Sequence, residues 1–395
     1  VPGITKHCTR QQLQALFQTA LDAVHGARLA EAALAHADVP HVITLGKAAE
    51  SLAAGAWRTN RGSVRSGFVA LPRGYETGEL AGESPFERHL GAHPVPDESS
   101  VAAGAALERY VAGLPLGDAV AVLVSGGASA CVESLAPGVD LALLRRANDW
   151  FLASGLSITS INAARARLSR LKGGGLASWL QGREVYARVL SDVMGDSDQW
   201  VGGGPMSAVT SELPVLPDWL GHILAAVVPR PSAGVPLQRL AGNREAVAAV
   251  CAAGARDRGE LPGDMETAST EIVHALETSE PGMLVWGGET TFALPADPGR
   301  GGRCRHLALS VALRLAGRRD WSLLAVGTDG WDGTDAVAGA GVDGATLERG
   351  RRRGRDAETD LEHADSGGFF AGSGEEVVTG PTGTNVNDLV IALRH

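Results

Sequence analysis

Three carboxylates stand among glycines in the stretch Gly327-Thr328-Asp329-Gly330-Trp331-Asp332-Gly333-Thr334-Asp335. Oxygen ligands on such a loop suit a hard cation such as Mg²⁺ and the phosphates it neutralises. The acids are spaced by threes, not by the twos of an EF-hand, and no Glu closes the loop, so a calcium buffer is not the expectation. Ser191-Asp192 and Gly195-Asp196 supply two more acids, four residues apart, of a kind that holds Mg²⁺ or accepts a hydroxyl proton. Positive charge comes from Lys47 in Leu45-Gly46-Lys47-Ala48-Ala49 and from Arg303 in Gly301-Gly302-Arg303. A guanidinium makes bidentate contacts with phosphate or carboxylate, and a lysine opening a helix adds charge where backbone amides already favour an anion. Ser125-Gly126-Gly127-Ala128-Ser129 can wrap amides around an oxyanion, and the loop from Thr379 to Asp388 offers hydroxyls and amides to a phosphate or carboxylate. Each piece also has a plainer reading, as a tight turn or a surface charge.

The elements that would position these residues are short apolar runs. Val42–Leu45 leads into Gly46-Lys47, Ala119–Val124 into Ser125-Gly126-Gly127, and Ala187–Leu190 into Ser191-Asp192. Met283–Trp286 leads into Gly287-Gly288-Glu289, and Trp321–Val326 into the acid-rich loop. Such runs read as buried strands, and in an open parallel α/β sheet ligands bind at the carboxyl ends of the strands. Leu13, Leu16, Phe17, Ala20, Leu21 and Val24 predict an amphipathic helix capped by Thr9 and packed on the first strand. Further helices are expected over 141–153 and 161–171, the latter placing Arg165, Ser169 and Lys172 on one anion-binding face. Pro-rich text from Pro214 to Pro236 sets the expected boundary, giving domains 1–235 and 236–395.

A chain of 395 residues exceeds what one compact core usually holds, and 44% hydrophobic residues are ample for burial. Its four cysteines lie far apart, without zinc spacing or disulfide density, which points to a reduced, cytoplasmic protein. No apolar stretch reads as a leader or a membrane span, so no membrane partner is expected. The net charge of −10 disfavours nucleic acid as a partner. The basic run Arg349–Arg355 is flanked by Glu348, Asp356 and Glu358 and reads as a solvated surface. Gly339-Ala-Gly341-Val-Asp-Gly344 matches G-x-G-x-x-G, but it follows a polar loop and not a strand, so it reads as a chance match. Cys304 and His306 lack further ligands at metal spacing.

Taken in order, the motifs form a longer series. Leu45-Gly46-Lys47-Ala48-Ala49, His93-Pro94-Val95-Pro96-Asp97, Ser125-Gly126-Gly127, Ile161-Asn162 through Arg165, Leu168-Ser169, Lys172-Gly173-Gly174 and Ser191-Asp192-Val193 occupy the first half. Gly203-Gly204-Pro205, Gly287-Gly288-Glu289-Thr290-Thr291, Gly301-Gly302-Arg303, Gly327-Thr328-Asp329-Gly330 and Thr379-Gly380-Pro381-Thr382-Gly383-Thr384-Asn385 follow. This set resembles the bacterial and mitochondrial glycerate 2-kinase family, whose C-terminal half is the MOFRL domain. The resemblance implies an α/β protein with a larger Rossmann-like N-terminal domain, built on a mostly parallel sheet. A smaller α/β MOFRL-type domain would follow, with the active site in the cleft between them. ATP and Mg²⁺ are the implied cofactors, a small 2-hydroxy acid the implied substrate, and the 2-hydroxyl of D-glycerate the implied acceptor; a homodimer is an open expectation. Carried over onto this sequence, the catalytic positions are Lys47, Arg303, Asp192 and Asp329, the two acids also serving as metal ligands. Ser125, Gly126, Gly127, Ser129, Lys172, Gly288, Glu289 and Thr290 would meet the nucleotide, and Arg165, Thr382, Thr384 and Asn385 the acid.

The chain departs from the family pattern where relatives read Gly-Gly-Arg-Asn-Gln-Glu and this sequence reads Gly301-Gly302-Arg303-Cys304-Arg305-His306. It also carries Ala166 and Arg167 in place of an Arg-Lys-His order, and Ala128 in place of a third glycine. These changes leave open a close analogue of D-glycerate as substrate, or a binding role without turnover. Some relatives carry the label hydroxypyruvate reductase, a rival reading with no supporting dinucleotide fingerprint here.

Overall fold

The computed structural model describes residues 6–80, 82–195, 197–209, 212–227 and 234–395, with the backbone alone at 6–8 and 158. Asp196 lies outside the described residues. The chain forms two compact units, residues 26–241 and residues 242–395, the latter joined by the N-terminal segment that ends at His25. Among the described residues no helix is long and apolar enough to cross a membrane.

Residues 26–241 are built on six strands: β1 (His41–Leu45), β2 (Ser66–Pro72), β3 (Phe86–Gly91), β4 (Ala119–Ser125), β5 (Glu184–Leu190) and β6 (Leu237–Ala241). Their order is β3-β2-β1-β4-β5-β6 and every pair is parallel. The central strands are apolar almost without interruption because both faces are covered; all five residues of β1 and Val120–Val124 of β4 are buried. Full burial of each such aliphatic side chain contributes about 1.5–3 kcal/mol. The strand order is that of the doubly wound dinucleotide-binding folds, in which ligands bind where the winding reverses, here between β1 and β4.

The second unit carries β7 (Arg256–Glu260), β8 (Gly282–Gly288), β9 (Trp321–Gly327), β10 (Gly339–Asp343), β11 (Glu376–Val377) and β12 (Asp388–Arg394). Their order is β11-β10-β9-β12-β8-β7. This sheet is mixed: β12 runs antiparallel to both neighbours, β10 antiparallel to β9, and only β7 and β8 are parallel. Two strands that flank one antiparallel strand point the same way. The carboxyl ends of β8 and β9 therefore still converge, and the first residue of β12, Asp388, is paired with Gly288 on one side and Gly327 on the other.

The N-terminal helix, Lys6–Ala23, expected on the first strand, belongs instead to the unit of the mixed sheet. Its stripe of Leu13, Leu16, Phe17, Ala20 and Leu21 is buried against the helix Asn243–Ala252 and strands β12 and β9 of the second unit. An apolar stripe shows that a face is buried, but not against which sheet. Thr9 lies inside this helix and does not cap it.

Candidate active site

At the crossover of the parallel sheet the loops after β1 and β4 are tied together by their own backbones. Lys47 N donates to Gly126 O at 2.8 Å, and Gly46 N to Ala70 O at 2.9 Å. Ser125 Oγ donates to Leu45 O at 3.2 Å and accepts from Ala48 N at 3.1 Å, so this hydroxyl links the two loops. Gly46, at φ +108°, packs so closely on Ser125 and Gly126 that a side chain would collide with both backbones. Gly127, at φ +83°, leaves room for the stem of Lys47; a Cβ there would lie 2.9 Å from Lys47 Cγ. Lys47 thus leaves a rigid turn just ahead of the helix Ala49–Thr59, and its ammonium lies 5.3 Å from the centroid of the Tyr75 ring. Gly127 and Ser129 sit half-buried at the short helix Ala128–Cys131. Because Ser125 pairs with Leu190, the chain leaves β5 alongside the β4 loop, and the half-buried Asp192 follows two residues later.

The helix expected over 161–171 runs from Ile158 to Leu168, so Ser169 and Lys172 do not share a helix face with Arg165. Beyond Leu168 the chain bridges instead to residues 134–136, with Ala136 N donating to Leu168 O at 3.0 Å and Arg170 N to Ser134 O at 2.6 Å, beside the fully buried Glu133. Glu133 accepts from Ser169 Oγ at 2.5 Å and forms a close ion pair with Lys172, ahead of the left-handed Gly173 and Gly174. Lys172 is only 5% exposed and paired with this carboxylate. Arg165 donates from Nε to Asn148 Oδ1 at 3.0 Å, and burial lowers its pKa.

In the mixed sheet the ends of β8, β9 and β12 meet the helix Arg303–Arg314. Arg303 pairs closely with Glu289, which follows β8, and its Nη2 lies 3.6 Å from Asp388 Oδ2. Burial pulls the Arg303 pKa down, but Asp388 and Glu289 more than offset it and hold the group above its ordinary value. Burial pushes Asp388 up to about 7; Arg303 opposes the shift, and the charges of Glu289, Asp332 and Asp329 add to it. A Cβ at Gly327 would lie 3.3 Å from Asp329 Oδ1 and 3.4 Å from Asp388 Oδ1, so two carboxylates flank one strand end. Asp329 Oδ1 accepts from Trp331 N at 3.0 Å.

The other two acids of the opening loop have a different task. Asp332, 3% exposed, accepts from Cys304 N at 2.9 Å and Arg305 N at 3.0 Å, serving as the anion at the start of the helix Arg303–Arg314. Gly302 precedes that helix without a side chain because a Cβ there would run into the Asp332 carboxylate. The fully buried Arg305 pairs with Asp332 at 3.0 Å, Asp335 at 2.9 Å and Glu376 at 3.4 Å. The expectation that all three acids serve phosphate chemistry therefore narrows to Asp329. Thr382 and Thr384 spend their hydroxyls on Thr328 O at 2.5 Å and Val24 O at 2.7 Å, bracing the loop that delivers Asn385 and Asp388. Thr290 and Asn385 are buried, and Gly288, at φ +141°, packs on Leu261. His306 stacks on Phe292 with centroids 4.1 Å apart, and burial lowers its pKa to about 4.

Asp388 is the residue that the motif reading passed over. It closes the quoted Thr379–Asp388 segment, but only its register between Gly288 and Gly327 reveals that it faces Arg303. Among the described residues no three His, Cys, Asp or Glu side chains gather as a metal cage. Mg²⁺ in phosphoryl transfer needs no such cage, since one or two carboxylates plus the phosphates and water suffice. The neighbouring carboxylates of Asp329 and Asp388, at one strand end, fit that demand.

Residues 12–215 match the family model described as a domain of unknown function, DUF4147, and residues 282–388 match the MOFRL family. A D-glycerate 2-kinase from Thermotoga maritima is 33% identical over 379 residues, covering 89% of this chain and 90% of its own. A protein of Agrobacterium vitis provisionally named a hydroxypyruvate reductase is 36% identical over 75% of this chain and 85% of its own. The crystal structure of the glycerate kinase from Thermotoga maritima superimposes with a TM-score of 0.82 at 28% identity, covering 98% of this chain and all of the other. Likeness over nearly the whole length, with both domain models matched in order, shows that the chain belongs to the glycerate 2-kinase family.

Proposed function

We propose that this protein is an ATP-dependent kinase that phosphorylates the 2-hydroxyl of D-glycerate or a closely related small 2-hydroxy acid. The observation that carries the reading is the position of Lys47, on a rigid turn at the reversal point of a sheet ordered like the nucleotide-binding folds. Phosphoryl transfer asks for positioning and charge neutralisation more than for covalent help. Lys47 and Arg303 would steady phosphate oxygens or the substrate carboxylate, and Asp192 and Asp329 would hold Mg²⁺ or orient the attacking hydroxyl. Mg²⁺, when bound, supplies neutralising charge on the phosphates. Asp388 and Glu289 keep the Arg303 guanidinium charged and aimed.

The test is direct. Purified protein with ATP, Mg²⁺ and a panel of small 2-hydroxy acids is expected to yield a 2-phosphorylated acid with stoichiometric ADP; no ATP consumption with any acid would overturn the proposal. The name of the Agrobacterium relative favours a second reading, reduction of hydroxypyruvate. Against it, the turn after β1 reads Leu45-Gly46-Lys47-Ala48-Ala49, and the only G-x-G-x-x-G match begins along strand β10. A flat absorbance trace with NADH and hydroxypyruvate removes that reading.

A further inference from the structure

The segment His93-Pro94-Val95-Pro96-Asp97 has no task in the reaction as described. Its surroundings supply one. Asp97 caps the helix Glu98–Gly113, accepting from Ser99 N at 2.8 Å and Ser100 N at 3.2 Å. The same carboxylate pairs with Arg73 Nη2 at 2.7 Å, while Arg73 Nη1 donates to Ser99 Oγ at 2.8 Å and Arg73 N to Gly91 O at 3.0 Å. Arg73 opens the turn after β2, in which Tyr75 N donates to Pro72 O at 3.2 Å. Tyr75 is 7% exposed, and the His93 ring meets it edge-on with centroids 6.3 Å apart. The ammonium of Lys47 lies over the Tyr75 ring at 5.3 Å, inside the range of a cation–π contact. On its other side the lysine stem runs along Gly127.

We propose that Tyr75 is the positioning residue for Lys47, and that the His93–Asp97 segment, through Asp97–Arg73 and the His93 ring, holds Tyr75 in place. A lysine is a point charge on a flexible four-carbon stem. An aromatic face confines the ammonium through its quadrupole and leaves the positive charge on it. The inference rests on the kinase reading for its kinetic consequence, but not for its structural one.

The chain contains only three lysines, Lys6, Lys47 and Lys172, so each is readable separately. Reductive ¹³C-methylation of the intact protein, with Lys47→Arg to assign the signal, is expected to show Lys47 displaced upfield by the ring. Tyr75→Phe keeps the displacement, and Tyr75→Leu removes it. In the kinase assay Tyr75→Leu is expected to lower kcat roughly tenfold with little change in KM for the acid, Tyr75→Phe to stay within about twofold, and His93→Ala to fall between. A Lys47 signal unmoved by Tyr75→Leu in a protein with unchanged thermal unfolding would overturn the proposal, as would a Tyr75→Phe variant as slow as Tyr75→Leu. Wild-type protein that transfers phosphate to no acid would sink the kinase reading, while the lysine spectrum would still decide the role of Tyr75.

Discussion

The Lys47 cluster and the Arg303 cluster are held in place by different physics. Around Lys47 the work is done by backbone: strand ends in a parallel sheet, glycines at positive φ, and a serine hydroxyl linking two loops. Around Arg303 it is done by buried charge, with Glu289 and Asp388 on Arg303 and Asp332, Asp335 and Glu376 on Arg305. The first arrangement sets the lysine on a rigid base, with its ammonium over the Tyr75 ring. The second fixes the guanidinium and ties the mixed-sheet domain's stability to the ionisation of its buried carboxylates.

The largest effect that would break this contrast is expected at Arg305. Removing one partner of a buried ion pair leaves the other uncompensated, at a cost of about 3–5 kcal/mol. Arg305→Leu strands Asp332 and removes the partner of Asp335, so the variant is expected to lose that much in a urea titration. A loss below about 1 kcal/mol would mean that solvent reaches Asp332 and that the helix Arg303–Arg314 has its anchor elsewhere.

Next come the two cations themselves. Lys47→Ala and Arg303→Ala are each expected to lower kcat roughly a hundredfold or more, the scale of one preorganised charge lost from a transition state. Arg303→Ala also releases Glu289 and Asp388, so it should lower stability measurably as well as turnover. Near-normal turnover in both variants would mean the chemistry lies with other residues.

How far these clusters were legible in the sequence follows the same divide. Apolar runs leading into glycine-bearing loops announced β1, β4, β8 and β9, because a strand buried on both faces writes itself as a continuous run, and the shorter run before Ser191-Asp192 marked the end of β5. Polar edge strands did not: β7 reads Arg-Asp-Arg-Gly-Glu and is exposed throughout. Strand direction is set by pairing and not by composition, so Leu389–Leu393 gave no sign that β12 runs antiparallel between β8 and β9, and Asp388 stayed hidden. Side-chain direction was equally unreadable. Asp329 and Asp332 stand three residues apart in one loop, yet Asp332 is committed to the helix Arg303–Arg314. Past the helix end at Leu168 the chain is met by residues 133–136, more than 30 positions upstream, and no local propensity encodes such a partner.

A smaller effect follows from His306, beside Arg303 on the same helix. Its folded pKa is lowered to about 4 by burial against Phe292, below the ordinary value of 6.5. The unfolded chain therefore binds more protons between these values, and stability falls as pH drops from about 6.5 to about 4. Allowing for its partial exposure, the contribution is about 2 kcal/mol. His306→Phe, which keeps the stack, is expected to flatten the stability-versus-pH curve in that window; an unchanged slope would assign the acid sensitivity to the carboxylates instead.

The smallest expected effect lies on the backbone-built side, at Ser125. Its buried hydroxyl donates to Leu45 O and accepts from Ala48 N, so Ser125→Ala removes the link between the β1 and β4 loops without touching a charge. A net hydrogen bond contributes about 0.5–1.5 kcal/mol, and one buried donor left unpaired costs somewhat more, so a loss of about 1–2 kcal/mol is expected. If the hydroxyl's task is to link these loops, KM for ATP should hold while kcat falls modestly and the Ala48 amide exchanges faster with solvent. A rise in KM for ATP with unchanged amide exchange would reverse the assignment, making Ser125 a nucleotide contact whose loop bonds are exchanged for phosphate on binding. The parallel-sheet cluster would then be built by its ligand as much as by its backbone.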